Sequence, residues 1–384
     1  MAREIDSEGA LEEVLRERPQ CLKGWVFQGL DLRAHSSAMH TIDCTGSVFL
    51  GCLLDDALAG HLARQGCLCV PPLEGKEYRP FRTSLYTVEE LFEGFDPAAT
   101  DRLTSYQSTP DYRIYRSFRD PEHPQSALWP VLVDEQLSRR IHDSSISDAL
   151  EEWLHGLGHR SLVAVMGGHA VPRNQPLYRE IAELSRSLRR QGLLPASGGG
   201  PGLMEATNLG AFLAPHPDEA LQQALQILSA CPTFRDGVGE WLATGMAVRQ
   251  AFPPAAGGES LGIPTWFYGH EPPNVFASHI AKYFENSLRE EGLLALATGG
   301  IVFAPGGAGT VQEIFQDACQ NYYTTYEVRS PMIFYPSAYW TDDPLGIPCY
   351  PAVERLATRG KFQNMVHLVD DLQRAERILL EYLA

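Results

Sequence analysis

Three glycines, a threonine and a glutamate follow one another in PGGAGTVQE, residues 305–313, at the end of the apolar run GGIVFAP. Glycines there let backbone N–H groups reach a phosphate at a helix N-terminus. A carboxylate one helical turn further on lies near where an attached sugar would sit. It can bind ribose hydroxyls, stabilise an oxocarbenium-like transition state, or orient a water towards the anomeric carbon. The same residues also spell a capping box, Thr310-x-x-Glu313, in which both side chains satisfy orphan N–H groups at a helix start. From this segment alone both readings stand.

Two further glycine clusters share its context. Gly167-Gly168, with His169 next, follows the apolar run SLVAVM. Gly198-Gly199-Gly200-Pro201-Gly202, with Met204 and Glu205 next, follows LLPAS. Helical patterns come after both; in PLYREIAELSRSLRRQG, Leu177, Ile181, Leu184 and Leu188 fall on one face and Gly192 stops the helix. LGIPTWFYG, SPMIFYP and NMVHLVD add strands, and DLQRAERILLEYLA closes with an amphipathic helix. Strands alternating with helices on short connections predict an α/β fold, a Rossmann-like doubly wound parallel sheet with helices on both faces. It is assigned to residues 144–384, with an insertion over about 213–260. Ligands of such sheets bind outside the carboxyl ends of the strands. No GxxxxGK[ST] occurs and no loop keeps GxGxxG spacing, which excludes a P-loop and a conventional dinucleotide site.

Residues 1–143 read as a separate N-terminal mixed domain without an assignable function. GWVFQG and SVFLGCLL are strand-like, the stretch 95–130 reads as irregular, and SISDALEEWLHGLG predicts a helix between the domains. F-x-G-x-x-L occurs at Phe27–Leu32 and Phe49–Leu54, a coincidence or one related strand pair. Cysteines 44, 52, 67 and 69 lack paired CxxC knuckles and read as small core residues rather than zinc ligands. His155-x3-His159 is spoiled as a metal pair by Gly156 and Gly158, so no metal is expected. A formal charge of −17 argues against affinity for nucleic acid or an anionic membrane. The acidic, helical start has no apolar h-region and no run is long enough to span a bilayer, so a cytoplasmic protein is expected.

PGGAGTVQE matches the PGGxGTxxE signature of the LOG (LONELY GUY) family of nucleoside 5′-monophosphate phosphoribohydrolases. MGGHAVPRNQPLY, SGGGPGLMEATNLGA and GHEPPN resemble the larger branch of that superfamily, the pyrimidine/purine nucleotide 5′-monophosphate nucleosidases. The resemblance covers about residues 160–384 and leaves the first 150 unmatched. It implies a Rossmann-like fold, a homodimer or larger assembly, and cofactor-free hydrolysis of a nucleoside 5′-monophosphate to free base and ribose 5-phosphate.

Carried over by position, Gly306, Gly307, Gly309 and Thr310 would hold the 5′-phosphate and Glu313 would be the catalytic carboxylate. Gly199, Gly200, Gly202, Met204 and Glu205 would form the opposite wall, with Gly168 and His169 at the first loop and Asn274 near base or ribose. Arg289 is the nearest counterpart of the family's helix arginine, displaced by one residue and followed by Glu290 instead of lysine. A nucleotide sensor that binds without turnover is the alternative. Pyridoxal-dependent decarboxylation is excluded, because it needs a Schiff-base lysine near the loops and Lys282 is the sole lysine of this region before Lys361.

Overall fold

The run Leu162–Met166 has five apolar residues in succession, all buried, as a strand covered on both faces requires. In the computed structural model, which describes residues 3–118, 133–158, 161–267 and 271–384, this run is the centre of a seven-stranded parallel sheet. Among the described residues the strands are β1 (Glu4–Ile5), β2 (Val26–Gln28), β3 (Val48–Leu50), β4 (Leu68–Val70), β5 (Leu162–Met166) and β6 (Leu194–Ser197). They continue with β7 (Leu261–Gly262), β8 (His279–Ile280), β9 (Gly300–Phe303), β10 (Met332–Phe334) and β11 (Val366–Leu368).

The large sheet has the order β11-β10-β9-β5-β6-β7-β8, and each neighbouring pair is parallel. The chain walks from β5 out to β8, returns to β9 on the other side of β5, and walks out to β11. The sheet is doubly wound, with its switch point between β5 and β9. The three glycine clusters therefore follow the carboxyl ends of three adjacent central strands. Helices flank the sheet, among them Pro176–Arg190, Leu203–Phe212, Asn286–Leu296, Ala308–Tyr323 and Leu372–Leu383. The fold is α/β and Rossmann-like.

Each strand expected after residue 160 is found, but the one expected over 261–269 is reduced among the described residues to Leu261–Gly262, and β8, equally short, is added at the edge. Within 213–260 lie two helices, Glu219–Leu228 and Val238–Ala251. The stretch read as irregular contains helices Arg102–Gln107, capped by Asp101, and Pro110–Phe118. The helix expected from Ser145 starts earlier, at Val133.

The described residues form two compact units. Residues 85–118, which the sequence assigns to the N-terminal domain, pack with the seven-stranded sheet. Tyr86 and Ile280 exchange backbone hydrogen bonds of 3.0 Å. The fully buried Lys282 ammonium donates to Asp111 at 2.5 Å, and the Trp266 indole donates to the same oxygen at 3.1 Å. Lys282 is thus held in a structural ion pair.

The other unit contains residues up to Ser84 and most of the helix Val133–Gly156. Its sheet is parallel in the order β1-β2-β3-β4. The two F-x-G-x-x-L copies pair in register, Phe27 opposite Phe49, with their rings stacked 4.6 Å apart. Gly29 and Gly51 follow with φ of +67° and +63°, so the copies are one strand-and-turn unit used twice. Cys44 and Cys52 are buried in this core. His159 lies outside the described residues. Among the described residues no helix is long and apolar enough to cross a membrane.

Candidate functional site

β9 delivers the chain to Pro305, and the helix Ala308–Tyr323 begins with Gly307 as its N-cap. No side chain caps it. Thr310 is therefore the third helical residue and Glu313 the sixth, so the capping box that the sequence allowed does not form. The first N–H groups of a helix have no intrahelical partner, and here Gly307, Ala308 and Gly309 are exposed. A Cβ added at Gly307 or Gly309 would meet nothing within 4 Å. Gly306 is different, since the Thr310 hydroxyl occupies the space where its side chain would stand.

One turn inside this open end, Glu313 is buried. Arg289, on the helix Asn286–Leu296, brings Nη1 to 3.9 Å from Glu313 Oε1 and to 3.5 Å from Glu290 Oε1. Arg289 Nε donates to the Ile263 carbonyl at 3.3 Å, which orients the guanidinium. Gln312 donates to Glu290 Oε2 at 2.5 Å. Burial pushes the Glu313 carboxyl from its ordinary 4.5 up to about 7; the Arg289 charge opposes this and the Glu290 charge adds to it. A carboxyl raised towards neutrality in this way can both take and return a proton near neutral pH.

The loop after β5 packs against the other two. Gly168 N donates to the Pro305 carbonyl at 2.9 Å, and Leu203 N donates to the Gly168 carbonyl at 3.2 Å. That second bond covers the N-terminus of the helix Leu203–Phe212, whose N-cap Gly202 sits at φ +67°. A Cβ at Gly202 would strike the Gly168 carbonyl and come within 2.6 Å of His169. Gly199, at φ +72°, would meet Pro264 at 2.7 Å. At Gly198 a Cβ would lie 2.6 Å from the Met204 sulfur and 2.9 Å from Arg289 Nη2, so this loop forms a wall beside the arginine.

Two residues assigned to the site by the sequence serve this scaffold instead. Asn274 is fully buried; its amide donates to the Gly200 carbonyl at 3.1 Å and to Asn208 Oδ1 at 2.8 Å, and its oxygen accepts from Phe276 N and Ala277 N. Glu205 is also fully buried, gripped by Arg173 at 2.6 and 2.8 Å and by the Tyr178 hydroxyl at 2.9 Å. Arg173 spans onward to the Cys231 and Trp241 carbonyls and the Thr244 hydroxyl. The glutamate ties the β6 loop's helix to the segment that follows the first loop. MGGHAVPRNQPLY contains both Arg173 and Tyr178, yet an arginine there looks like any surface charge until its partner is known.

His169, half exposed, follows Gly168 at the rim. Its Nε2 lies 3.1 Å from Arg235 Nη2 and its Nδ1 lies 3.7 Å from Glu271 Oε1. Glu271 Oε2 would be 3.7 Å from a Cβ at Gly200. Glu290, Glu271 and Arg235 were not among the sequence's candidates. Glu290 was visible as the departure after Arg289, and Glu271 sits in GHEPPN, whose Gly269 and His270 lie outside the described residues. Arg235 comes from the insertion and has no sequence signal.

No family model matches the chain, and no curated protein matches it either. Solved structures do. The molybdenum cofactor carrier protein of Chlamydomonas reinhardtii is 15% identical, covering 59% of this chain and 99% of that one, with a TM-score of 0.35. The molybdenum cofactor binding protein of Rippkaea orientalis is 14% identical over 59% and 99%, with a TM-score of 0.34. The structural-genomics target TM1055 is 21% identical over 58% and 99%, with a TM-score of 0.34.

Proposed function

We propose that this chain hydrolyses the N-glycosidic bond of a nucleoside 5′-monophosphate, giving free base and ribose 5-phosphate. One juxtaposition carries the reading. A buried carboxyl poised at about 7 stands beside a guanidinium, one turn inside a helix N-terminus that is open and uncapped. The N–H groups of the first turn and Thr310 hold the 5′-phosphate. Arg289 and Glu313 then face the ribose. Water bonds to the anomeric carbon as the bond to the base nitrogen breaks, and positive charge developing on the sugar is stabilised by the Glu313 carboxylate. Glu313 takes a proton from the water, and that proton is available to the departing base. Arg289, held by the Ile263 carbonyl, keeps the carboxylate in place and draws phosphate or hydroxyl oxygens. Incubating the protein with a panel of nucleoside monophosphates and assaying free base tests the proposal. Release of base with stoichiometric ribose 5-phosphate supports it; tight binding without release favours the sensor alternative.

The working form is a homodimer or larger. Phe315 and Tyr323 are exposed, Tyr323 at 72%, on the helix that carries Glu313, whereas Ile314 and Ala318 are spent in the protein's own core. Sedimentation at the mass of a single chain at micromolar concentration would exclude this.

A further inference from the structure

The rim of the site carries three polar side chains that the hydrolytic chemistry does not use. Arg235 donates to His169 Nε2 at 3.1 Å, which leaves the imidazole proton on Nδ1, facing the Glu271 carboxylate at 3.7 Å. The chain Arg235–His169–Glu271 therefore fixes a donor fork and an acceptor pair on either side of one ring. Phe234 adds an aromatic edge, its ring 6.4 Å from that of His169. Arg235 is exposed, and His169 and Glu271 keep 41% and 35% of their side-chain surface. All remain reachable by a ligand.

Their place relative to the reacting groups follows from the β6 loop. Gly198 abuts Arg289 Nη2 and Gly200 abuts Glu271 Oε2. Two residues of chain span at most about 7 Å, so the Arg289 guanidinium and the Glu271 carboxylate flank one short stretch of the β6 loop, and a nucleotide with its ribose over Glu313 has this rim within reach of its base.

Resting on that reading of the site, we infer that Glu271 and Arg235, bridged by His169, form a base-reading subsite whose complement is a guanine. An ionised carboxylate only accepts, and its two oxygens match two adjacent N–H donors, which guanine offers at N1 and the 2-amino group. A guanidinium only donates, and its fork matches the O6 and N7 acceptors of the same base. Hypoxanthine keeps O6, N7 and N1–H but lacks the 2-amino donor, so the guanine–hypoxanthine pair isolates the carboxylate's contribution.

The test measures dissociation constants of GMP, IMP and ribose 5-phosphate by calorimetry on the full chain carrying Glu313→Gln, which prevents turnover, alongside kcat/KM for both nucleotides with wild-type Glu313. GMP is expected to bind about tenfold to a hundredfold tighter than IMP. Glu271→Gln should bring the ratio near unity, and Arg235→Ala should weaken both nucleotides, while ribose 5-phosphate binding stays unchanged. Equal affinity for GMP and IMP, a ratio indifferent to Glu271→Gln, or no nucleotide binding at all would overturn the inference. Base release without a GMP preference sinks this subsite and leaves the hydrolase standing; a GMP preference in binding without any release does the reverse.

Discussion

The glycine loops after β6 and β9 are alike in composition and opposite in construction. Between Gly198 and Gly202 the missing side chains are replaced by protein: the Met204 sulfur, Pro264, the Gly168 carbonyl and His169. At Gly307 and Gly309 they are replaced by open space. The helix start after β6 is covered by the Gly168 carbonyl, and the one after β9 is left exposed with no cap. Glycine thus answers two demands, close packing of backbone on backbone and access of a ligand to backbone. A glycine-rich turn in a sequence announces one of them without saying which. The comparison also explains why the two glutamates fare differently. Glu205 enters a saturated network with Arg173 and Tyr178, whereas Glu313 is buried beside a single arginine at a longer reach.

Substitutions at the two loops should therefore separate stability from binding. Gly202→Val imposes a side chain at φ +67° and drives it into the Gly168 carbonyl. A loss of at least about 3 kcal/mol is expected from strain and overpacking together, read as a large drop in the urea midpoint. A midpoint within error of wild type would break the packing account of this loop.

The Glu313 carboxyl should reveal itself next, in the pH dependence of stability. Its folded pKa of about 7 lies above the ordinary 4.5, so the folded state binds more protons than the unfolded one across that window. Stability from this group is full below about 4.5 and falls as pH rises through about 7. Glu313→Gln removes the penalty and should be more stable than wild type at pH 8 by up to about 3 kcal/mol, with little difference at pH 4. Parallel profiles for the two proteins would contradict the buried, unsaturated environment described for Glu313. Turnover of the wild type should, in contrast, rise with pH through about 7, as the Glu313 carboxylate forms.

The smallest effect on folding is expected at Gly307. Gly307→Val enters open space at φ −100° and costs about 1 kcal/mol or less as a poorer N-cap. It should nonetheless abolish ribose 5-phosphate binding by occupying the space of the phosphate. Normal binding with normal folding would move the anion site elsewhere.

Much of this architecture is legible in the sequence because it rests on local patterns. A continuous apolar run as short as Leu162–Met166, closed by glycines, fits a buried strand and the turn to a helix. Arg289 and Glu313, read from separate helices, do meet. What was hidden depended on long-range partners. Asn274 and Glu205 have the chemistry of ligand contacts, and only their buried partners reveal them as scaffold. The helices at 102–118 were missed because their burial relies on Gly239, Trp266 and Lys282, far along the chain. A truncated chain starting near Ser144 would lose Asp111 and strand the buried Lys282 charge. The rim residue Arg235 came from an insertion whose sequence carries no motif.

Glu313 is proposed to act on the sugar and not merely to start a helix. This role is tested most directly by comparing base release from a nucleoside monophosphate by wild type and Glu313→Gln, with ribose 5-phosphate affinity measured on both. The account predicts a fall in kcat of at least about a hundredfold, with ribose 5-phosphate still bound through the N–H groups of the first helical turn. Turnover within a few fold of wild type in Glu313→Gln, or no base released by the wild type from any monophosphate, would contradict it.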